Sequence, residues 1–327
     1  MIFVETTGRL GNQFFQYAFA RALQEKRPDL GQIILIPENV SHDKYGGMTV
    51  LDFAVNNVGL GKKPELTKKQ QLIWWMFRIY RGIGSRIKGE DFARTMTIKL
   101  QPLLNRYGIY CYGDYDDVRV HYNVKCKSVW VNGYWENPVY FDGIRPILKR
   151  EFEPLFKPLP HNADLLNLIM NTNSVCVSIR RGDFLSDMYR ERFNVCTKAF
   201  FYEAEKKLAE LLGSYQLFIF SDDIEWCRKN MRFRGTVHYE NNNGDDPVWE
   251  NIRLMSSCKH FIISNSTFSW WAQYLSDYPD KKVVAPRPWR NNEYHDCFYD
   301  ESFILLDGAD GTAADRKRLE VTDTDKT

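Results

Sequence analysis

The second half of the chain alternates short apolar runs with helical patterns, and this alternation restricts the fold more than any other feature. Runs rich in β-branched and aromatic residues occur at residues 174–179, 216–220, 236–240, 260–264 and 282–285. Segments with helical spacing separate most of these runs, and the connections between them are short. Strands that alternate with helices in this way form a parallel sheet covered by helices on both faces. An α/β fold is therefore predicted for this half.

The predicted helices of this half have recognisable first and last residues. Thr197 is a candidate N-cap for a helix that ends at Gly213. Asp246 and Pro247 are expected to supply the N-cap and the first residue of a helix that runs through Cys258. These signals support the alternation of strands and helices independently of hydrophobic periodicity.

The first half gives a clear pattern only at its start. Residues 1–7 form a predicted buried strand, residues 8–11 a tight turn, residues 12–27 a helix and residues 32–36 a second strand. The following hundred residues show mixed loops and helices without a repeat.

Three prolines within residues 153–162 mark the expected boundary between two domains. We expect an N-terminal domain over residues 1–155 and a second domain over residues 156–307. Residues 308–327 are polar and rich in small side chains, which predicts a disordered tail.

The composition excludes several classes of protein. With 44% hydrophobic residues in 327 positions, the chain is typical of a folded globular protein with room for two domains. A formal net charge of +2 gives no broad attraction for nucleic acid. Seven scattered cysteines without a CxxC pair predict reduced thiols and a cytoplasmic location. The chain shows neither a run of 18 apolar residues nor a signal-peptide pattern at its start.

Polar side chains follow the predicted strands where each strand ends. Ligands of open α/β sheets bind beyond the carboxyl ends of the strands, so we expect one cleft to gather most of these side chains. The candidate residues are Arg9, Asn12, Gln13, Arg180, Arg181, Asp183, Asp222, Asp223, Asn265, Ser266 and Thr267.

The pair Arg180 and Arg181 is the strongest candidate for an anion site. Guanidinium groups form forked hydrogen bonds with phosphate oxygens and stay charged when partly desolvated. The alternative is that one arginine pairs with Asp183 and holds the loop. We expect one arginine to contact the ligand and the other to serve the structure.

Residues 265–269 (NSTFS) begin a predicted helix whose N–H groups and hydroxyls suit an anion, with an ordinary helix cap as the alternative. Phe268 belongs to this candidate set, whereas helical spacing predicts that Trp271 lies in the core. Asp222 is a candidate for contact with a guanine edge or a sugar hydroxyl. Alternatively, Asp222 or Asp223 caps the following helix.

Metal chemistry is not expected, because the six histidines show no paired ligand spacing. Asp114 and Asp116 have the acid-x-acid spacing of metal-dependent sugar transferases, but their surroundings favour a solvated turn. Residues 62–88 mix basic and large apolar side chains. A helix that covers the sheet is the favoured interpretation of this segment, and docking on anionic lipid or on a lipid-linked acceptor is the alternative.

Four blocks together resemble glycosyltransferase family 11, the bacterial α-1,2-fucosyltransferases with relatives in animal blood-group synthesis. The blocks are GRLGNQFFQYA at 8–18, VSIRRGDF at 177–184, FSDD at 220–223, and MSSCKH followed by SNSTFSWW within 255–271. One position departs from the family pattern. Ser178 stands where many members carry His, so an imidazole base or phosphate donor is not available there.

The resemblance implies a GT-B-type fold of two facing Rossmann-like domains, with the donor bound mainly by the second domain and the acceptor by the first. It implies inverting transfer of L-fucose from GDP-fucose to the 2-hydroxyl of a terminal β-galactoside, without a bound metal or a further cofactor. The acceptor would be a galactose-terminated oligosaccharide or lipid-linked glycan of a surface polysaccharide such as O-antigen or capsule. Peripheral contact with the inner membrane fits that role.

Roles for individual residues follow from this chemistry. Arg181, together with Arg180, would stabilise the leaving diphosphate, joined by Ser266 and Thr267. Asn12 would orient fucose or the acceptor. Asp183 is a weak candidate for the general base, because pairing with an arginine would favour its charged form. The alternatives are a transferase of another nucleotide-sugar and a carbohydrate-binding protein without catalytic activity.

Overall fold

Two parallel β-sheets organise the chain. The computed structural model describes residues 1–40, 47–111, 120, 122, 124–240, 246–291, 293 and 295–314, with only the backbone described at 39, 90 and 91. Asp114 and Asp116, the alternative metal-binding pair, lie outside these residues.

The first sheet has five strands within the described residues, and its strand order is β3-β2-β1-β5-β4. All neighbouring strands are parallel. The strands are β1 (Ile2–Gly8), β2 (Ile33–Val40), β3 (Val58–Leu60), β4 (Ile109–Cys111) and β5 (Val129–Asn132).

The second sheet has six strands in the part of the chain that the structure describes, in the order β11-β10-β9-β6-β7-β8. This order is that of a dinucleotide-binding Rossmann sheet, and its neighbouring strands are all parallel. The strands are β6 (Ser174–Ile179), β7 (Gln216–Ser221), β8 (Thr236–Tyr239), β9 (His260–Ile263), β10 (Val283–Arg287) and β11 (Ile304–Asp307). The predicted α/β class is confirmed, and the expected domain boundary falls between the two sheets.

Helices connect the strands and cover the sheets. They are α1 (Leu10–Lys26), α2 (Lys68–Lys88), α3 (Glu90–Arg106), α4 (Arg145–Glu151), α5 (Ala163–Asn171), α6 (Arg190–Phe193), α7 (Lys198–Leu212), α8 (Ile224–Asn230), α9 (Val248–Ser256) and α10 (Thr267–Leu275). Among the described residues, no helix is both long and apolar enough to cross a bilayer.

Helix α1 is buried on nearly all sides because it packs against β1 on one side and α10 on another. Phe14 and Phe15 of α1 meet Trp271 of α10 at ring-centroid distances of 5.5 and 4.8 Å. Trp271 is fully buried, which confirms its predicted place in the core. The two domains therefore share one aromatic core where these helices cross.

Helices α2 and α3 pack against each other and cover the opposite face of the first sheet. Thr67 and Gln70 form a capping box at the start of α2. The sheet presents Phe3, Ile36 and Trp130 to this helix pair. The favoured interpretation of this segment, a helix that covers the sheet, therefore holds for the inner side of α2.

Two local predictions are corrected by the structure. Helix α9 begins at Val248, one residue later than predicted, because the Asp246 carboxylate accepts hydrogen bonds from His161 and Asn162 instead of capping the helix. The predicted tail begins too early, since Gly308 accepts a hydrogen bond from Thr197 N–H at 2.9 Å. Residues 315–327 lie outside the described residues.

Candidate active site

A deep cleft of about 1470 Å³ lies between the two sheets, bordered by the carboxyl ends of β1, β6 and β7 and by the first residues of α1 and α10. Both domains contribute side chains to it. Of the residues predicted for a ligand site, those lining the cleft are Arg9, Asn12, Arg180, Asp183, Asp222, Asn265, Ser266, Thr267 and Phe268. The strand-end rule thus brings most of the predicted residues together.

The amino ends of α1 and α10 meet at the floor of the cleft. Thr267 donates a hydrogen bond from Oγ1 to Asn12 Oδ1 at 3.0 Å, and Trp271 donates from Nε1 to the carbonyl oxygen of Gly11 at 3.0 Å. A Cβ at Gly11 would lie 2.5 Å from Thr267 Oγ1, so glycine is required for this close approach. In the part of the chain that the structure describes, no side chain caps the first turn of either helix. Two positive helix ends therefore face the cleft.

Arg180 lies at the centre of an ion-pair network that joins the domains. Its Nε and Nη2 donate to Asp183 Oδ1 at 3.1 and 2.7 Å, and its Nη1 lies 3.0 Å from Asp222 Oδ2. Asp183 also accepts a hydrogen bond at Oδ2 from Arg9 Nη1 of the first domain, at 3.3 Å. These bonds hold the guanidinium of Arg180 at the cleft wall with a fixed orientation.

Arg181 points in a different direction. Its guanidinium stacks 3.3 Å from the ring centroid of Trp226, and its Nε donates to Asp223 Oδ2 at 3.1 Å. Asp223 in turn accepts a hydrogen bond from Trp226 N–H and caps α8. Arg181 is not among the described residues that line the cleft. One arginine therefore faces the cleft, and the other stabilises the loop. The cleft-facing residue is Arg180, whereas Arg181 was named first for contact with the leaving diphosphate.

Asp222 is a buried carboxylate at the cleft wall. Burial raises its pKa, and the N–H groups of Arg181 and Gly182 oppose that rise by hydrogen bonding to the charged form. The backbone nitrogen of Arg181 donates a hydrogen bond to Oδ1 at 2.8 Å, and a Cβ at Gly182 would collide with Oδ2. The backbone at Arg181 and Gly182 thus encloses this carboxylate, and the carboxylate in turn orients the guanidinium of Arg180.

The residues before and within the first turn of α10 are held by hydroxyl and amide contacts. Asn265 donates from Nδ2 to the carbonyl oxygen of Phe193 at 3.0 Å and accepts from the thiol of Cys196. Ser178, at the end of β6, forms a 2.6 Å hydrogen bond with the hydroxyl of Ser269. The Ser178 side chain is therefore hydrogen-bonded to α10, which positions this helix against β6.

Gln13 does not belong to the site. It is 1% exposed, and its Nε2 donates to the carbonyl oxygens of Gly8 and Gly47 at 3.2 and 2.7 Å. Its Oε1 accepts the N–H of Val50 at 3.1 Å. The Gln13 amide therefore connects two turns. Gln13 is not among the described residues that line the cleft, so the structure indicates a structural role in place of the predicted ligand contact.

A group of charged side chains in the first domain was missed by the sequence interpretation. Glu5 on β1 and Glu38 on β2 line the cleft beneath α2 and α3. Burial, together with the nearby charge of Glu38, raises the pKa of Glu5 to about 7, and Arg78 opposes the shift. Asn132 donates an amide hydrogen bond to Glu5. The helices above add the arginines Arg78, Arg81 and Arg94 to the lining.

The first-domain side of the cleft therefore differs chemically from the second-domain side. It combines carboxylates, an amide and several guanidinium groups, which can hydrogen bond the hydroxyls of a sugar. The only signal in the sequence is a glutamate within an apolar strand. The arginines lie on α2 and α3, and no local sequence pattern indicates that these helices contact β1.

Two parallel-sheet domains that face each other across a cleft lined by guanidinium groups and two helix amino ends have the arrangement of a GT-B-type glycosyltransferase. The chain belongs to Glycosyl transferase family 11, whose profile matches residues 1–305. The resemblance described from the four sequence blocks is thereby confirmed over nearly the whole chain.

The chain matches two bacterial relatives over nearly their whole length and a mammalian relative over about three quarters of its length. An alpha-1,2-colitosyltransferase of Escherichia coli is 29% identical over 316 residues, covering 91% of this chain and 95% of the relative. The O-antigen biosynthesis glycosyltransferase WbnK of Escherichia coli is 27% identical, with coverage of 86% and 93%. Galactoside 2-alpha-L-fucosyltransferase Sec1 of Mus musculus is 25% identical, with coverage of 96% and 74%. A solved structure of the α-1,6-fucosyltransferase NodZ gives 9% identity, coverage of 84% and 91%, and a TM-score of 0.46.

Proposed function

We propose that this glycosyltransferase moves L-fucose from GDP-fucose to the 2-hydroxyl of a terminal β-galactoside, with inversion at the anomeric carbon. Family membership and the names of its relatives support a deoxyhexose donor and an α-1,2 linkage. The observation that carries the proposal is the position of Arg180, oriented by two carboxylates and facing a cleft beside two helix amino ends.

The galactose hydroxyl would attack C1 of the fucosyl group while the bond from C1 to the β-phosphate oxygen breaks, and the hydroxyl proton would pass to solvent late, once the new C–O bond has formed. Negative charge then grows on the departing diphosphate, and the sugar gains oxocarbenium character. Arg180 is the side chain best oriented to stabilise that charge, together with Ser266, Thr267 and the N–H groups of α10. Arg181 would contribute by holding the loop through Trp226 and Asp223.

In this proposal the second domain, residues 156–307, binds the nucleotide, and Asp222, Asn265 and Phe268 line that part of the cleft. The first domain, residues 1–155, binds the acceptor through Arg9 and Asn12. No metal ion or further cofactor takes part, because guanidinium groups and helix ends supply the positive charge that a cation would otherwise supply.

Asp183 is a positioning residue rather than the general base in this mechanism. Both of its oxygens accept hydrogen bonds from guanidinium groups, one from each domain, so neither oxygen is free to face the acceptor hydroxyl. Its role would be to connect Arg9 with Arg180 so that the acceptor and donor sides keep a constant separation.

We also propose a biological setting for this reaction, which the name of one relative supports. One relative is named for O-antigen biosynthesis, which supports a galactose-terminated oligosaccharide or lipid-linked glycan as acceptor. Such a reaction would take place in the cytoplasm, with peripheral contact at the inner membrane.

A transfer assay tests the proposal. The full chain is incubated with GDP-fucose and lactose, with and without EDTA, and the linkage of the product is analysed. An α-1,2-linked fucosyl product formed equally with and without EDTA is expected. Loss of turnover in EDTA that manganese restores would overturn the metal-free mechanism, and another linkage would overturn the acceptor assignment.

A second donor is favoured by one specific observation, the 29% identity to a colitosyltransferase. Colitose is the 3-deoxy analogue of fucose, so a site for either sugar differs only at one hydroxyl. Parallel assays with GDP-fucose, GDP-colitose, GDP-mannose and UDP-galactose identify the donor. A thermal shift with GDP distinguishes both enzymes from a carbohydrate-binding protein, which would not be stabilised by the nucleotide.

A further inference from the structure

The outward side of α2 carries a continuous row of exposed apolar side chains. Their spacing of three and four residues places them on one face of the helix over four turns. The row consists of Leu72, Trp75, Met76, Ile79, Ile83 and Ile87, which are between 41% (Ile79) and 74% (Ile87) exposed. We call this row the α2 stripe. Isolated apolar residues are normal on a protein surface, but a continuous row of six marks an interaction surface.

The α2 stripe faces away from the rest of the protein. The buried residues of α2 are Gln70, Phe77 and Gly84, which lie on the opposite side of the helix. Phe77 packs with Leu104 of α3 and Ile109 of β4, so the inner side has its own partners. Packing among the described residues therefore does not account for the apolar side chains of the stripe.

The charge of α2 indicates what covers the stripe. The helix has six basic residues and no acidic residue in its 21 positions, and Lys62 and Lys63 precede it. Lys68 and Lys69 flank the stripe at one end, and Arg86 lies beside it at the other. An apolar helix face bordered by basic side chains complements a surface with an apolar interior and negative headgroups.

An apolar groove adjoins the stripe. It has a volume of about 570 Å³, and Trp74, Trp75, Ile79 and Trp130 are among the residues lining it. Tryptophan is enriched where proteins meet the interface between lipid headgroups and hydrocarbon. The groove thus extends the apolar surface from the helix toward the sheet.

We propose that the α2 stripe docks on the surface of an anionic lipid bilayer. The helix lies parallel to the membrane plane, with the stripe below the headgroups and the basic residues among the phosphates. The opposite side of the same helix carries Arg78 and Arg81, which line the cleft. Docking therefore places the first-domain side of the cleft next to the membrane. The proposal does not depend on which sugar the enzyme transfers.

Vesicle co-sedimentation of the full chain tests this proposal. The vesicles contain either phosphatidylcholine alone or phosphatidylcholine and phosphatidylglycerol in equal parts. The wild-type chain should partition at least about tenfold more strongly to the anionic vesicles. The triple variant Trp75→Ser, Ile79→Ser, Ile83→Ser should lose at least about tenfold of that partitioning.

The matched control replaces three apolar residues of similar exposure elsewhere, as Leu155→Ser, Met170→Ser, Leu211→Ser. This variant should sediment with vesicles as the wild type does, and thermal unfolding should show both variants folded. A second charge-removing variant, Lys68→Gln, Lys69→Gln, Arg86→Gln, should bind anionic vesicles more weakly.

Two outcomes would overturn the proposal. One is equal vesicle binding by the wild type and the folded stripe variant. The other is a wild-type dimer in solution that becomes monomeric in the stripe variant and shows no vesicle binding in either form, because the stripe would then be covered by a second copy of the chain.

Discussion

The indole Nε1 of Trp271 donates a hydrogen bond to the carbonyl oxygen of Gly11, 260 residues away, at 3.0 Å. This bond joins the two domains directly beneath the cleft. It is possible because Gly11 has no side chain, so the backbone of α1 reaches the first turn of α10.

Substitution of Gly11 with alanine should therefore destabilise the protein. The new Cβ would lie 2.5 Å from Thr267 Oγ1 and 2.7 Å from the backbone nitrogen of Phe268, and the backbone atom cannot rotate away. We expect a loss of about 1–3 kcal/mol of unfolding free energy, measured by denaturant titration. Gly82→Ala in α2 is the control, since its Cβ would have no neighbour within 4 Å. Equal stability of Gly11→Ala and wild type would contradict the close approach.

Replacement of the two neighbouring arginines should give different results. Arg180→Ala removes the guanidinium that faces the cleft, and we expect turnover to fall about a hundredfold, in line with the loss of one charge-stabilising donor. Arg181→Ala removes the stacking contact with Trp226 and the hydrogen bond to Asp223, which should lower the melting temperature while kcat stays within a few-fold of wild type. Steady-state kinetics and thermal unfolding measure the two effects. A larger loss of kcat in a stably folded Arg181→Ala variant would reverse our assignment.

The raised pKa of Glu5 should make stability depend on pH. The folded protein keeps the Glu5 proton up to about pH 7, whereas the ordinary glutamate value is 4.5, so the unfolded chain releases it earlier. The unfolded state then binds fewer protons between these values, and Glu5 reduces stability as pH rises through them. Glu5→Gln cannot ionise, so its melting temperature should exceed that of wild type more at about pH 8 than at about pH 5.

The same measurement on Glu38→Gln provides the control for Glu5. Removing the neighbouring negative charge should lower the pKa of Glu5 and give a smaller gain at high pH in the same direction. A gain from Glu5→Gln that does not change with pH would show that Glu5 has an ordinary pKa.

Ser178, which stands where many family members carry His, should have only a structural effect. Ser178→Ala removes its 2.6 Å hydrogen bond with Ser269, which should cost about 1 kcal/mol of stability. The turnover number should stay within a few-fold of wild type, because a hydroxyl bound to another serine is not a general base. A hundredfold loss of turnover in a folded variant would assign Ser178 to the chemistry.

The sequence predicted five of the six described strands of the second sheet, all except β11, because the central strands β6, β7, β9 and β10 are buried on both faces. Such strands are continuous apolar runs, and Ser174–Ile179 and Gln216–Ser221 begin and end within one residue of their predicted bounds. The polar residues that follow them were recognised because the ends of parallel strands share one edge. Helical spacing also predicted the buried position of Trp271, but not the aromatic residues of α1 that pack against it.

The failures concern side chains whose partners are distant in the sequence. Gln13 follows a tight turn as a ligand-binding amide would, but its partners are Gly47 and Val50. The sequence does not distinguish the roles of the neighbouring residues Arg180 and Arg181. The contact with Trp226 shows that Arg181 points away from the cleft.

The meeting of α1 and α10 also limits how the enzyme can move. Because the domains are joined at the base of the cleft by Thr267, Asn12 and the Trp271 indole, an opening that breaks the ion pair between Arg9 and Asp183 can pivot there. In the proposed mechanism, the distance between donor and acceptor would then change least at the base of the cleft and most at its rim. A small rotation about the base would release a glycan product while Asn12 and Thr267 stay in contact.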